Sequence, residues 1–248
     1  MKKAQRMAFL LLAALALFWS TGPQSVPAVA SAEISGAEIK YVALTFDDGP
    51  RANTTGRLLD GLLKRNAKAT FFLIGRQIEE NRDLVLRMKA EGHQVGNHTY
   101  DHLELETINT TVVAQQIGKT DAILQNLLGE GIYWVRPPFG RVSTEEKKLI
   151  SQPMVSWSVD PEDWRIHNVN QVVTSVMKHV EPNDIILLHD FYATSVDAAL
   201  QIVDQLQAKG YEFVTVEELF ALNGIAPQSG CLYRSAKLTK MVKTGPQP

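Results

Sequence analysis

Val42-Ala43-Leu44-Thr45-Phe46-Asp47-Asp48-Gly49-Pro50 is an apolar run that ends in two adjacent carboxylates. It is too short for a helix, and its Val, Leu, Thr and Phe are the composition of a buried strand. Gly49-Pro50 stops it. Successive strand side chains point to opposite faces, so Asp47 and Asp48 can share one site only if the strand has just ended. Two acids at the exit of a buried strand are costly to desolvate and repel each other. A metal ion or an arginine offsets both effects, and the chain holds candidates for each.

Outward from this stretch, strand-like and helix-like runs take turns. The strand candidates are Lys40–Phe46, Ala69–Gly75, Gln94–Asn97, Tyr133–Arg136, Met154–Val159, Asp184–His189 and Glu212–Val216. Between them, Thr111–Leu128 carries Val113, Ile117, Leu124 and Leu127 on one side. Thr194–Lys209 does the same with Val196, Ala199, Leu200, Val203 and Leu206, and stops at Gly210. Gly56–Lys64, Glu80–Glu91, Thr144–Ile150 and Val169–Val180 are weaker helical patterns, and Thr215-Val216-Glu217-Glu218 opens a last short helix. Alternation of this kind predicts an α/β fold with a parallel sheet and crossover helices. A closed βα barrel and an open doubly wound sheet both fit, and both put their sites at the carboxyl ends of the strands. There is no internal repeat, no P-loop and no Gly-x-Gly-x-x-Gly, so nucleotide binding has little support.

The totals agree with a globular enzyme-sized chain. Of 248 residues, 45% are hydrophobic and 21% charged, which argues against disorder. A formal charge of -2 gives no basic excess to attract nucleic acid. Residues 1–32 have the layout of a secretory signal peptide: Lys2, Lys3 and Arg6, then the apolar run Met7 to Trp19, then Ala30-Ser31-Ala32 as a cleavage site. The alternative is an uncleaved membrane anchor, although the run is short for a span of about 20 residues. Cleavage after Ala32 removes three cations and no acid, which takes the charge from -2 to -5. Residues 33–39 read as a linker, 40–222 as the folded domain and 223–248 as a flexible tail. The tail's Arg234, Lys237, Lys240 and Lys243 are expected to be solvated. Cys231 is the one cysteine, so no intrachain disulfide forms, and no function is assigned to it.

Polar residues gather where the strand candidates end. Asp47-Asp48 ends the first, His98-Thr99-Tyr100-Asp101-His102 follows the third, and Arg136-Pro137-Pro138-Phe139-Gly140 ends the fourth. Asp160, Asp163 and Trp164 follow the fifth, and Leu187-Leu188-His189-Asp190 ends the sixth. Four residues apart, His98 and His102 can reach one ion from a helical or tight turn. With a carboxylate from the first strand they make a two-His, one-carboxylate group that leaves a coordination position open. Arg136, stiffened by two prolines, is either a surface cation or the partner of an acid. His189, after the most apolar strand, is either a satisfied core residue or a proton carrier, and Asp163 can keep it protonated. His93, His167 and His179 read as structural or surface residues, and Trp134 and Trp157 as core.

Thr45-Phe46-Asp47-Asp48-Gly49, His98-Thr99-x-x-His102, Arg136-Pro137-Pro138-Phe139, Asp160-x-x-Asp163-Trp164 and Leu187-Leu188-His189-Asp190 resemble the five ordered motifs of the polysaccharide deacetylases, carbohydrate esterase family 4 with its NodB homology domain. The resemblance runs from about Lys40 to Leu222. It implies a distorted (β/α) barrel of seven strands with its active site at the carboxyl ends. It implies one divalent metal held by Asp48, His98 and His102, zinc first, with cobalt, nickel or manganese as alternatives. It implies Asp47 as general base and His189 as general acid, with Arg136 orienting Asp47 and Asp163 tuning His189. Trp164 and Leu187 would shape the slot for an acetyl methyl, with Phe139 beside it. Some relatives carry Asn where this chain has Asp48.

The function so implied is an exported, metal-dependent, monomeric hydrolase that removes N-acetyl groups from N-acetylglucosamine units of a polymer. Peptidoglycan is the first expectation, chitin or chitooligosaccharides the second, and acetylxylan esters the third. Two other classes compete. A non-catalytic carbohydrate-binding module has no need of Asp47 and His189. A non-haem iron oxygenase also uses two His and one carboxylate, but has no use for a second acid and a separate proton-donating His.

Overall fold

Strand β1 (Lys40–Gly49) is the spine of the molecule, because three other strands pair with it. The computed structural model describes residues 39–237. In chain order there follow α1 (Thr55–Lys64), β2 (Thr70–Leu73), α2 (Gly75–Ile78), α3 (Arg82–Ala90) and β3 (Gln94–Asn97). Then come α4 (Thr110–Leu128), α5 (Thr144–Leu149), β4 (Met154–Val155), α6 (Val169–His179) and β5 (Ile185–His189). The chain ends with α7 (Ala193–Gln207), β6 (Tyr211–Val214), α8 (Val216–Leu222) and β7 (Leu232–Tyr233).

The main sheet is parallel, in the order β3-β2-β1-β5. β6 also pairs with β1, along Lys40–Ala43, while β2 takes Thr45–Gly49. β4 and β7 pair in parallel beside it. Single bridges join Asn97 to Val135, Val135 to Met154, and Val159 to Ile186. Alternation along β1 sorts its side chains. Val42, Leu44 and Phe46 join the large core with Leu58, Leu59 and Leu62 of α1, Val173 and Val176 of α6, and Val196 and Ile202 of α7. Ala43 faces the other way, among Phe72, Trp134, Val155, Ile185 and Phe220. Thr45 and Asp47, at the same alternation, share that second face.

Helix starts are capped as their sequences dictate. Asn109 and Asn168 accept from the N–H groups of Val112 and Gln171, and Ser143/Glu146 and Thr215/Glu218 form capping boxes.

Three segments differ from expectation. Tyr133–Arg136 makes only a one-residue bridge, since Pro137 and Pro138 have no N–H to extend a ladder. Met154–Val159 is a regular strand for two residues only, because it changes neighbours: Ser156 N–H donates to Tyr233, and Ser158 and Val159 N–H donate to Ile185. Within the stretch expected as a flexible tail, Leu232–Tyr233 forms β7, and Ala236 is buried. These residues have a partner because the β4 edge needs one. Residues 1–38, where the signal segment is expected, and residues 238–248 lie outside the described residues.

Phe71 carries much of the main core. It is fully buried, stacks on Phe46 at 5.3 Å and meets the His93 ring edge-on at 5.4 Å. Phe71→Ala is expected to destabilise the protein by about 3–5 kcal/mol. A urea titration checks this, as a lower midpoint at unchanged slope.

Candidate active site

Asp48 settles how two neighbouring acids reach one place. Its φ is +69°, and the pairing of β1 with β2 shifts register between Asp47 and Gly49. This bulge breaks the strict alternation of the strand, so both carboxylates open on the same cleft. Gly49 then passes so close to Asp190 that a Cβ there would lie 2.7 Å from both carboxylate oxygens.

Asp47 is held from behind by Arg136. The guanidinium is fully buried, and its Nη1 donates to Asp47 Oδ1 at 2.8 Å and to Thr45 Oγ1 at 2.7 Å. Nε donates to the Val155 carbonyl and Nη2 to that of Ser156. Its flat face lies 4.1 Å from the Phe72 ring centre. Arg136 is therefore no surface cation. Burial pushes the Asp47 carboxyl up, and Arg136, His189 and His102 pull against it.

The two histidines sit on a turn rather than a helix. Thr99 and His102 have φ of +65° and +61°, and His102 N–H donates to Thr99 Oγ1. α2 and α4 brace this turn. The N–H groups of Gly75 and Arg76 donate to the carbonyls of Thr99 and Tyr100. Gln116 Oε1 accepts from the N–H groups of Tyr100 and Asp101, and its Nε2 donates to Asp101. Gly75 is required here, because a Cβ would collide with the Thr120 hydroxyl and the Tyr100 ring.

One ligand atom each from Asp48, His98 and His102 lies within 4.8 Å of the other two. Asp48 Oδ1 is 3.3 Å from His102 Nε2 and 3.6 Å from His98 Nε2. Two ligands about 2.1 Å from one tetrahedral zinc stand about 3.4 Å apart, so the spacing fits. The chemistry fits as well. His98 Nδ1 lies 2.6 Å from the Arg136 carbonyl, which can only accept, so Nδ1 carries the proton. Burial, with His102 and Arg136 adding to it, pushes the His98 pKa down to about 3 against the pull of Asp48 and the Arg136 carbonyl. The ring is neutral and its Nε2 lone pair faces Asp48 Oδ1, a buried oxygen with no hydrogen-bond partner. Two facing lone pairs call for a cation between them.

Across the cleft, His189 Nδ1 lies 2.8 Å from Asp163 Oδ1, and His189 N–H donates to Asp163 Oδ2 at 2.8 Å. Asp163 is fully buried. Burial pushes the His189 imidazolium down, but the hydrogen bond and charge of Asp163, with Asp47 and Asp48, outweigh it and lift the pKa to about 9.

The cleft holds about 580 Å³ and is lined by Asp47, Asp48, His98, His102 and His189, with Leu187 in its wall. Phe139 and Trp164 flank it, both more than half or half exposed, at 57% and 50%. Every residue singled out from the sequence for this site is in the cleft or directly behind it. The sequence reading missed several others. Trp157, read as core, lines the cleft, as do Glu104 and Arg141; Asp160, from the polar cluster after the fifth strand candidate, lines it as well. Thr45 and Gln116 hold site groups without touching the cleft. Asp190 is buried under Gly49, takes a hydrogen bond from Thr55, and is pushed up to about 7, chiefly by burial. His93 is structural, as read: its Nδ1 accepts from Ala69 N–H.

An α/β fold with a two-His, one-carboxylate group beside a second acid and an Asp-backed histidine defines a hydrolase-like metal site. The comparisons carry this further. The family described as "Polysaccharide deacetylase" matches residues 35–153. The chain is similar to the peptidoglycan-N-acetylglucosamine deacetylase PgdA of Listeria monocytogenes, 39% identical over 204 residues, covering 82% of this chain and 43% of that protein. It is similar to the peptidoglycan-N-acetylmuramic acid deacetylase PdaC of Bacillus subtilis, 39% identical over 180 residues, covering 73% and 38%. A solved family 4 acetyl xylan esterase from Clostridium thermocellum, in complex with a cobalt ion, superimposes with a TM-score of 0.76 at 32% identity, covering 80% of this chain and 100% of that one. The chain belongs to the polysaccharide deacetylase family. It spans about two fifths of the length of the two bacterial deacetylases. No helix among the described residues is long and apolar enough to cross a membrane.

In the metal-free protein, the His189 ring is expected to titrate near 9 by NMR. In Asp163→Asn that value should fall to the ordinary 6.5 or below, since burial is then opposed only by Asp47 and Asp48. The raised pKa also stabilises the fold fully below pH 6.5, and that contribution is lost as the pH rises through about 9.

Proposed function

We propose that this protein is an exported deacetylase that hydrolyses the N-acetyl amide of amino sugars in a polysaccharide, with peptidoglycan as the polymer. The observation that carries it is the pairing of two differently tuned proton carriers, Asp47 and His189, on opposite sides of one metal-ligand group. Neither a binding module nor an oxygenase requires that pairing. Export is supported by the cationic start and apolar run of residues 2–19. The strands are proposed to close into a distorted barrel through the bridges at Val135 and Val159.

Asp48, His98 and His102 would hold the metal, with zinc favoured by the nitrogen-rich donor set and cobalt, nickel or manganese as alternatives. When bound, a metal here supplies a Lewis acid and lowers the pKa of water. Asp47, held by Arg136 and not free to rotate, takes a proton from the attacking water. Leu187 and Trp164 would receive the acetyl methyl, and Phe139 would close the slot from the other rim. Charge developing on the carbonyl oxygen would be met by a backbone N–H near Phe139. As the C–N bond breaks, the amine leaves only if protonated, and His189 Nε2 supplies that proton. Asp163 holds Nδ1–H, so Nε2 faces the cleft in the donating form.

Acetate release from N-acetylglucosamine oligomers and from peptidoglycan fragments tests this reading. Chelator should abolish release and added zinc restore it; undiminished release in excess chelator removes the metal from the mechanism. Asp47→Asn and His189→Gln should each lower kcat about 100-fold or more. Since His189 must begin protonated, kcat/KM falls as the pH rises through its pKa, and Asp163→Asn moves that fall to lower pH. Acetylxylan is a second reading, favoured by the likeness to the acetyl xylan esterase. An ester releases its alcohol without full protonation, so His189→Gln would cost less on xylan than on an amide.

A further inference from the structure

A second cleft, of about 550 Å³, shares no lining residue with the first and is not used by the deacetylation step. Arg51, Asn53, Arg76, Gln77 and Glu80 line it. Its walls continue the backbone that carries the metal ligands. Arg51 is three residues past Asp48, which puts their Cα atoms within about 11 Å. Arg76 donates its N–H to Tyr100, inside the His98–His102 turn.

The two arginines, like Arg82 and Arg234 elsewhere, stand outside the ion pairs of the described residues. Arg57, Arg65, Arg87, Arg136, Arg141 and Arg165 each have a carboxylate within 4.0 Å. Among the described residues, no carboxylate lies within 4.0 Å of Arg51 or Arg76, although Arg51 is near enough to the buried Asp190 to pull against the rise of its pKa. Arg51 is not loose, however. Its guanidinium lies 4.0 Å over the Phe191 ring, and its backbone N–H is fixed to Thr55. Two buried polar atoms on this wall have no partner: Arg51 Nε and Gln77 Oε1. A held guanidinium with an open donor, a second cation and an unmet acceptor match a carboxylate next to an N–H group. A neutral sugar chain offers no carboxylate. Peptidoglycan offers one on the lactyl ether of muramic acid, or on the peptide joined to that ether.

We propose that the Arg51–Arg76 cleft binds a carboxylate carried by a substituent of the glycan and so directs the enzyme to peptidoglycan. The inference rests on the deacetylase reading above. The unmet Gln77 Oε1 fits the amide N–H of a peptide.

The test compares metal-loaded Arg76→Gln and Arg51→Gln with the metal-loaded parent on three substrates: neutral N-acetylglucosamine oligomers, peptide-free glycan with lactyl carboxylates, and peptide-bearing fragments. On the carboxylate substrates KM should rise about 10- to 100-fold, the loss expected for charge-assisted hydrogen bonds, with kcat little changed. On the neutral oligomer both constants should stay within about twofold. Arg76→Lys should keep part of the effect, Arg76→Glu should deepen it, and the parent's advantage on charged substrates should shrink with salt. A rise on the peptide-free glycan alone assigns the lactyl carboxylate, which the peptide-bearing fragments have spent in an amide bond; a rise on the peptide-bearing one alone assigns the peptide, and a rise on both shows that the cleft accepts a carboxylate at either position. Unchanged KM on all three, or an equal loss on all three, overturns the proposal. Absence of acetate release from every substrate by the parent defeats the deacetylase reading instead.

Discussion

The buried contact between Arg136 and Asp47 is the constraint around which the site is organised. An unpaired carboxylate at a strand end inside the molecule would take up a proton or distort its surroundings. Arg136 prevents that, but a buried guanidinium is itself expensive unless its N–H groups are met. Thr45, Asp47 and the carbonyls of Val155 and Ser156 meet them. Thr45 and Asp47 lie on β1, Val155 lies on β4 and Ser156 directly follows it, so the position of Asp47 is tied to both strands. The same residue reaches the other half of the site through its backbone, because the Arg136 carbonyl fixes the tautomer of His98. One residue thereby fixes the Asp47 carboxylate on one side and the His98 ring on the other.

Left-handed backbone is concentrated at this face. Asp48, Thr99, His102, Phe139 and Glu162 all have positive φ without being glycine. Such residues persist only where their surroundings over-determine them. Here the surroundings are visible: the β1 bulge at Asp48, the hydrogen bonds of Gln116, Gly75 and Arg76 around Thr99 and His102, and the prolines before Phe139. The chain accepts local strain so that side chains from separate loops converge with little freedom left.

Much of this was legible in the sequence, for a physical reason. Parallel strands deliver their last residues to one face, so polar clusters after apolar runs could be assembled without knowing the strand order. Helices such as α4 and α7 announced themselves through one-sided apolar spacing. What stayed hidden depended on backbone or distant partners. Nothing in Asp47-Asp48 states that Asp48 adopts positive φ. β7 exists only because β4 has an open edge some 80 residues earlier in the chain. Trp157 read as core because an aromatic in an apolar run usually is, yet the strand changes neighbours there and turns the ring to the cleft. Gln116 carries no signal of its own; its importance comes from the unpaired N–H groups of a turn on another element.

The sharing of β1 among three partners has a further consequence, for the order in which the molecule can assemble. β2 is close at hand in sequence, but β5 and β6 begin more than 130 residues downstream. Until those arrive, one edge of a mostly buried ten-residue strand has no ladder to complete. Long-range parallel pairings of this kind are slow to form and leave sticky edges open in the meantime. The N-terminal third of the domain therefore has to wait, unfinished, for the C-terminal third, and chaperone capture or self-association competes with productive folding during that interval.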